Sequence, residues 1–195
     1  MKYLLFAVCF FEAITACQSP KYKNPHLKIE TQFGDIEVEL YPDQAPKSVA
    51  AILSYVDAGY YKRSSFYRVL NEDNQPMGSA SVALIQGGIY KKTELDTVKI
   101  ATIPHESTGV TKLLHTNGTL SLARQAPGTA STEFFICIGD QPGFDQGGGN
   151  NPDKEGYAAF GKVTKGMDVV LKIYKKPSNG EMLAPEIIIM DIERL

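Results

Sequence analysis

The side chains best suited to metal or acid–base chemistry are scattered along this sequence. Its three histidines, His26, His105 and His115, show no metal-site spacing. His26 falls in a polar tether, and we expect His105 and His115 to act as hydrogen-bonding groups in loops or strands. The acidic segment 145–155 is superficially similar to a calcium loop but lacks the acidic spacing and terminal glutamate of an EF-hand. We therefore expect a solvated, flexible loop and no metal site.

The cysteines indicate no disulfide framework, because three is an odd number. Cys137 lies in an apolar run, where burial raises the pKa of a thiol and makes it inert, so we expect it to pack in the interior. The chain also lacks a glycine-rich phosphate loop and a Gly-x-Ser-x-Gly elbow. No motif of this sequence therefore predicts nucleophilic catalysis or a bound cofactor.

The first seventeen residues have the layout of a secretory signal peptide. A basic start precedes the apolar run 3–11, which is too short to span a bilayer because spanning takes about 20 apolar residues. The segment ends in the letters ITAC, which resemble a bacterial lipobox. We expect a lipoprotein signal peptide over residues 1–16, a lipid on Cys17 and a polar tether over residues 17–26. A buried N-terminal strand or helix is the alternative interpretation.

Length and charge narrow the class of protein further. The 195 residues favour a single domain, and a hydrophobic fraction of 43% excludes a disordered chain. The net charge of −2 lacks the basic excess that is usual for nucleic-acid binding, so no nucleic-acid partner is expected. Any membrane attachment would therefore come from the lipid on Cys17 and not from a basic surface.

The hydrophobic pattern predicts many strands and two helices. Apolar residues alternate along a hairpin over 27–40, and strand-like runs recur later in the chain. These later runs are 65–70, 82–86, 119–123, 133–138, 157–163 and 186–193.

Two stretches have the apolar spacing of a helix. In the first, Val49, Ile52, Leu53 and Val56 form one face, with Asp43 expected as the N-cap. In the second, the face consists of Met167, Val170, Leu171 and Tyr174. We therefore expect a mainly β, antiparallel barrel or sandwich in which two helices could cover the ends of a closed barrel.

Three segments together resemble the cyclophilin family of peptidyl-prolyl isomerases. They are the run from FGDIEVELYPDQAP at residue 33 to FYRVL at residue 66, the IQGG at residue 85, and the series GTLSLAR, STEFFI, AFGKV and GMDVV between residues 118 and 170. Each motif is weak alone, but their order and spacing are specific, and the resemblance covers roughly residues 27–195. It implies a closed eight-stranded antiparallel barrel capped by two α-helices over that cyclophilin-like domain.

The resemblance also implies a reaction and its residues. Rotation about an X-Pro bond is slow because amide resonance imposes a barrier of ~18–20 kcal/mol, and binding the twisted peptide best accelerates it without covalent intermediate or cofactor. Arg68 matches the family's catalytic arginine, and Gln86 matches the glutamine that orients substrate and arginine. The positions that match substrate-binding residues are Ala83, Leu84, Ala123, Arg124, Gln125, Glu133, Phe135, Phe144 and Tyr157.

Some positions depart from the family pattern. Ala83-Leu84 stands where the family has Phe-Met, so we expect one aromatic wall of the proline pocket to be missing, and Met77 on the long connection 71–81 could fill the gap. Glu133 replaces the usual glutamine. A residue near Gly143 replaces the frequent tryptophan, which predicts weak binding of cyclosporin-type ligands.

Three functions remain open at this point. The first is a monomeric, lipid-anchored isomerase of the bacterial envelope, facing the periplasm, that acts on proline-containing exported proteins as they fold. The second is a proline-binding, chaperone-like lipoprotein with weak or no turnover, which the small Ala83 would favour. The third is a purely structural lipoprotein, which a pocket blocked by the 71–81 connection would favour and an open groove beside Arg68 would oppose.

Overall fold

The structure is a computed structural model that describes residues 22–76, 81–90, 92–95 and 98–195. The predicted signal peptide, Cys9, Cys17 and Met77 lie outside these residues. Along the described chain the strands are β1 (His26–Thr31), β2 (Gly34–Leu40), β3 (Ser64–Leu70), β4 (Leu84–Gly88), β5 (Thr119–Leu122), β6 (Phe134–Cys137), β7 (Ala158–Lys165), β8 (Ser178–Asn179) and β9 (Met182–Arg194). The α-helices are α1 (Pro46–Asp57), α2 (Thr108–Thr111) and α3 (Met167–Tyr174).

Eight of the strands close into an antiparallel barrel. Their order around the ring is β1-β2-β7-β5-β6-β4-β3-β9, and the ring closes where β1 pairs with β9. The two-residue β8 adds a short hairpin partner to β9. The predicted eight-stranded barrel is therefore confirmed, and closure leaves no long unpaired edge.

Alternation along each strand divides the side chains between the interior and the outer face. Val69 of β3, Ile85 of β4 and Ile136 of β6 are completely buried in the main core inside the barrel. Their neighbours Arg68 and Gln86 point the other way, because successive side chains of a strand face opposite sides. The outer face of β3, β4, β6 and β5, which are adjacent in the ring, is where the predicted site residues collect.

The first predicted helix is α1, but its N-terminus is capped differently from the prediction. Asp43 is not the N-cap; that position is Ala45, whose side chain cannot cap. The buried Glu106 instead accepts from the backbone N–H groups of Lys47 and Ser48, at 3.1 and 2.8 Å, and from the Ser48 hydroxyl at 2.7 Å. A carboxylate from a distant segment thus satisfies donors that a helix start leaves without partners.

The second predicted helix is α3, rotated relative to the expected face. Its buried residues are Val169, Val170 and Ile173, whereas Leu171, predicted to be inward, is 38% exposed. A third helix, α2, is a single turn that the mixed sequence of residues 90–118 did not predict. No helix in the described part of the chain is both long and apolar enough to cross a bilayer.

The end of the predicted tether packs against the barrel. The Tyr22 ring stacks on His26 with centroids 3.7 Å apart, and the Asn24 amide donates to Glu39 of β2 at 2.8 Å. His26 itself opens β1, so the first strand begins one residue before the boundary predicted at residue 27.

Candidate active site

A bulge in β3 brings two consecutive side chains into one pocket. The pairing of β3 with β4 steps from Phe66 opposite Gly87 to Arg68 opposite Gln86, so Tyr67 is the extra residue. The pairing of β3 with β9 is interrupted at the same point. In a regular strand, Tyr67 and Arg68 would face opposite sides of the sheet. Here both line the same outer cavity, while Phe66 remains fully buried in the core.

The Arg68 guanidinium is held from two sides. Its Nη1 donates to Gln86 Oε1 at 2.9 Å, and Gln86 lies directly opposite Arg68 on β4. On the other side, Nε donates to Glu181 Oε2 at 2.8 Å and Nη2 lies 2.7 Å from the same oxygen. These contacts use three of the guanidinium N–H groups, fewer than a guanidinium carries, so donors remain for a bound peptide.

A chain of short hydrogen bonds continues from Gln86 away from Arg68. Gln86 Nε2 donates to the Tyr67 hydroxyl at 2.6 Å, and that hydroxyl donates to Glu133 Oε2 at 2.6 Å. Burial raises the pKa of both groups: desolvation is the main cause for the Glu133 carboxyl, and for Tyr67 desolvation acts together with the nearby Glu133 charge. Glu133, Tyr67, Gln86 and Arg68 therefore form one connected polar network.

Beside this network lies an apolar floor. The Phe135 ring packs edge-on against Phe144 and Tyr157, with centroids 5.3 and 5.2 Å apart. The neighbouring Phe134 points into the barrel core, so the two phenylalanines divide as strand alternation requires. The floor is rigid because these aromatic edges interlock, and it suits a small apolar ring.

A cavity of about 690 Å³ opens between the polar network and the floor. Its wall contains every predicted catalytic and substrate-binding residue except Ala83, whose neighbour Leu84 does line it. The predicted residues in the wall are Arg68, Leu84, Gln86, Ala123, Arg124, Gln125, Glu133, Phe135, Phe144 and Tyr157. Tyr67, Tyr90 and Met182 line it as well. An open groove beside Arg68 argues against the purely structural alternative.

The Arg124 side chain ties the acidic loop to the cavity wall. Its Nη1 and Nη2 each donate to Asp153 at 2.8 Å, and its Nε donates to the Gly156 carbonyl at the same distance. The guanidinium also lies 5.3 Å from the centre of the Tyr157 ring. Residues 145–155 are largely exposed, as expected of a solvated loop, and Arg124 ties this loop to the cavity wall. The flexibility expected of the loop stays a prediction.

His115 supports the aromatic floor from behind. Its Nδ1 lies 2.8 Å from Asp145 Oδ1, its Nε2 lies 2.9 Å from Ser121 Oγ, and its ring stacks on Phe135. Burial lowers the pKa of this imidazole, despite the nearby Asp145. His115 is therefore the hydrogen-bonding group that the sequence predicted. In the described ranges no three His, Cys, Asp or Glu side chains are grouped to hold a metal ion.

Sequence reasoning missed three residues of this site. Tyr67 was overlooked because a bulge has no signal in the alternation of β3, and Asp153 because its partner is distant in the chain. Glu181 follows Asn179 and Gly180, a turn signal that could have predicted the β8–β9 hairpin but not its contact with Arg68.

Comparisons with known proteins agree with this fold and site. The family described as cyclophilin type peptidyl-prolyl cis-trans isomerase/CLD matches residues 26–194. A peptidyl-prolyl cis-trans isomerase of Acinetobacter baylyi is 34% identical over 157 residues, covering 80% of this chain and 75% of the relative. Peptidyl-prolyl cis-trans isomerase B of Escherichia coli is 35% identical over 144 residues, covering 73% of this chain and 80% of the relative.

Solved structures show the same barrel. A cyclophilin type peptidyl-prolyl cis-trans isomerase of Cryptosporidium parvum aligns with a TM-score of 0.69 at 25% identity, covering 88% of this chain and 98% of that one. A second structure of that protein, obtained in the presence of the dipeptide Ala-Pro, aligns with a TM-score of 0.66 at 26% identity, covering 86% and 96%.

A closed barrel whose outer face carries a fixed guanidinium above an aromatic floor defines a cyclophilin-type peptide-binding domain. The chain belongs to the cyclophilin-type peptidyl-prolyl cis-trans isomerase family, and it is an enzyme of that type.

Breaking the ion pair between Arg124 and Asp153 tests whether this pair holds the backbone of the cavity wall in place for substrate binding. Asp153→Asn removes the charge that faces Arg124, so the backbone at 123–125 loses its anchor, and KM for an X-Pro peptide should rise about fivefold, the scale of one lost hydrogen bond. Arg124 holds the pKa of Asp153 at about 2, against an ordinary value of 3.8. A group with a depressed pKa stabilises the fold above its ordinary pKa, and this contribution disappears as the pH falls from about 4 to 2.

Steady-state kinetics and urea midpoints between pH 7 and pH 2.5 check both parts. Asp168→Asn is the matched control, because Asp168 forms an exposed pair with Lys172 on α3, outside the cavity. An unchanged KM, or a stability difference between wild type and Asp153→Asn that is as large at pH 2.5 as at pH 7, would contradict the assignment.

Proposed function

We propose that Arg68 accelerates X-Pro isomerisation by donating hydrogen bonds to the peptide bond as it twists, and that the substrates are exported proteins met at the cell envelope. The observation that carries the mechanism is the Arg68 guanidinium, fixed by Gln86 and Glu181 at the side of an aromatic-floored cavity. The prolyl ring would sit on Phe135, next to Phe144 and Leu84. The residue before proline would pair with the backbone of 123–125.

The chemistry needs no covalent step. As the X-Pro bond rotates, its nitrogen loses amide resonance and becomes a better hydrogen-bond acceptor. A guanidinium that is already in place stabilises this state more than either planar form, so the barrier falls. A thousandfold acceleration needs only about 4 kcal/mol. One charge-assisted hydrogen bond contributes about 1.5–3 kcal/mol. Packing of the prolyl ring on the ordered aromatic residues can supply the rest of the required free energy.

A related structure obtained in the presence of a proline dipeptide is consistent with this placement. The Cryptosporidium parvum structure in the presence of Ala-Pro belongs to a protein that matches 86% of this chain. An Ala-Pro unit has the small apolar ring that the floor of Phe135, Phe144 and Tyr157 could accept. The matching barrel therefore supports an X-Pro peptide as the occupant of this cavity.

Replacing Arg68 tests the mechanism. Arg68→Ala should lower kcat/KM for a short X-Pro peptide about 100-fold, because removal of one preorganised donor costs that much in comparable sites. Arg68→Lys should also be strongly impaired, since an ammonium keeps the charge but lacks the planar fork that bonds Gln86 and Glu181 together. A proline-isomerisation assay, with peptide titration followed by NMR, separates turnover from binding.

Arg194→Ala is the matched control, because Arg194 pairs with Asp57 and does not line the cavity. Equal rates for wild type and Arg68→Ala would contradict catalysis by Arg68. Peptide binding by the wild type with isomerisation at the uncatalysed rate would favour the proline-binding, chaperone-like alternative.

The proposed location rests on the N-terminal sequence. The apolar run 3–11 and the letters ITAC before residue 18 support export, cleavage before Cys17 and acylation of that cysteine. Several acyl chains together provide stable anchoring, since each buried CH₂ contributes about 0.8 kcal/mol. The tether of residues 17–26 would then hold the barrel near the membrane, where exported chains fold without ATP.

Cys17→Ser tests the anchor in a bacterial host. The wild type should take up radiolabelled palmitate and sediment with membranes, whereas Cys17→Ser should do neither. Cys9→Ser is the matched control and should behave like the wild type. Membrane association that survives in Cys17→Ser would contradict a lipid on this residue.

A further inference from the structure

We propose that Glu133 is a positioning residue: its carboxylate, acting through Tyr67 and Gln86, sets the direction of the hydrogen bonds that orient Arg68. This inference rests on the proposed catalytic role of Arg68. Glu133 stands outside hydrogen-bond contact with the guanidinium itself, so its influence passes through the two side chains between them.

The direction of this relay follows from what each group can donate. An ionised carboxylate only accepts, so the proton on Tyr67 must point at Glu133 Oε2, 2.6 Å away. The lone pairs of the Tyr67 hydroxyl then face Gln86, which must present its NH₂ group at 2.6 Å. The amide oxygen of Gln86 is thereby turned towards Arg68 Nη1, 2.9 Å away. Each step fixes the next.

Without the carboxylate the same side chains could adopt a second arrangement. The Tyr67 hydroxyl could donate to the Gln86 amide oxygen, and the Gln86 NH₂ group would then point at Arg68. Two donors would face each other, and the guanidinium would lose one of the two partners that hold it. A glutamine at position 133 could donate as well as accept, so it would not enforce one direction.

Hydrogen bonds and close packing hold the Glu133 carboxylate in one position. Oε1 accepts from the Ile89 backbone N–H at 2.8 Å and from the Thr132 hydroxyl at 3.2 Å. Gly88 has φ +148°, and a Cβ there would lie 2.4 Å from Glu133 Oε2, so only glycine leaves room for this carboxylate. Among the described residues Glu133 has no ion-pair partner, so the Tyr67 hydroxyl does not compete with a cation for Oε2.

Three variants test the relay: Glu133→Gln, Tyr67→Phe and the double variant. Each single change should lower kcat about fivefold to tenfold, the scale of one hydrogen bond, with KM changed less than twofold. In Tyr67→Phe the relay is already broken, so adding Glu133→Gln should cost no further activity. Tyr67→Phe keeps the ring that packs on Tyr90, with centroids 5.3 Å apart, and so serves as the conservative variant if Glu133→Gln folds poorly.

Two matched controls and one spectroscopic reading complete the experiment. Glu106→Gln also alters a buried carboxylate that accepts backbone N–H groups, and Tyr55→Phe removes a hydroxyl bonded to the Ala101 carbonyl; neither residue lines the cavity. Both controls should keep the wild-type kcat, even where unfolding occurs at lower urea. The ¹⁵N side-chain resonances of Arg68 should shift or broaden in Tyr67→Phe and Glu133→Gln, but not in the controls.

The outcomes separate the relay from the proposed function. Wild-type kcat in Tyr67→Phe or additive losses in the double variant, together with an inactive Arg68→Ala, would overturn the relay and leave catalysis by Arg68 intact. Full activity of Arg68→Ala would overturn both proposals. A kcat loss that is shared by the two single variants and the double variant, with unchanged KM, would support the relay.

Discussion

The bulge at Tyr67 is the local feature on which the geometry of the pocket depends. It places Tyr67 and Arg68, which are neighbours in one strand, on the same outer face of the barrel. Gln86 then lies within reach of both, bonding the guanidinium with its oxygen and the phenol with its nitrogen. A strand without the bulge would send one of these two side chains into the core and divide the network.

The polar network and the aromatic floor have different roles in one site: the network holds Arg68 in place, and the floor provides an apolar surface. Bonds to Gln86 and Glu181 restrict the Arg68 guanidinium before any substrate arrives. Under the proposed mechanism, little reorganisation is then needed when the peptide bond twists. The floor of Phe135, Phe144 and Tyr157 is an uncharged aromatic surface on which an apolar ring can pack. His115 and Arg124 hold this floor and its adjoining wall from behind. A barrel closed on itself gives both parts a rigid base.

Strand periodicity carried most of the fold prediction, because alternation is a local signal. It predicted the hairpin over 27–40 and the later strand-like runs, and the structure has a strand in each of these regions. Helix periodicity was weaker: α3 turned its face to bury Val169 and Ile173, since packing against the barrel outweighed the stripe that included Leu171.

The parts of the site that escaped prediction are non-local. Glu181 reaches Arg68 from a hairpin 113 positions away, and Glu106 caps α1 from 58 positions beyond Ser48. Neither contact leaves a pattern in the surrounding sequence. The resemblance to a family supplied Arg68 and Gln86, but the bulge, the ion pair between Arg68 and Glu181 and the hydrogen-bond chain from Glu133 to Gln86 had to be observed in three dimensions.

A crystal structure of the protein with a short Xaa-Pro peptide would test the central claim most directly. The account predicts a prolyl ring on Phe135, with an Arg68 N–H group within hydrogen-bond distance of the X-Pro bond and Gln86 still bonded to the guanidinium. A peptide bound elsewhere, or a proline in the cavity with Arg68 turned away from the X-Pro bond, would contradict it.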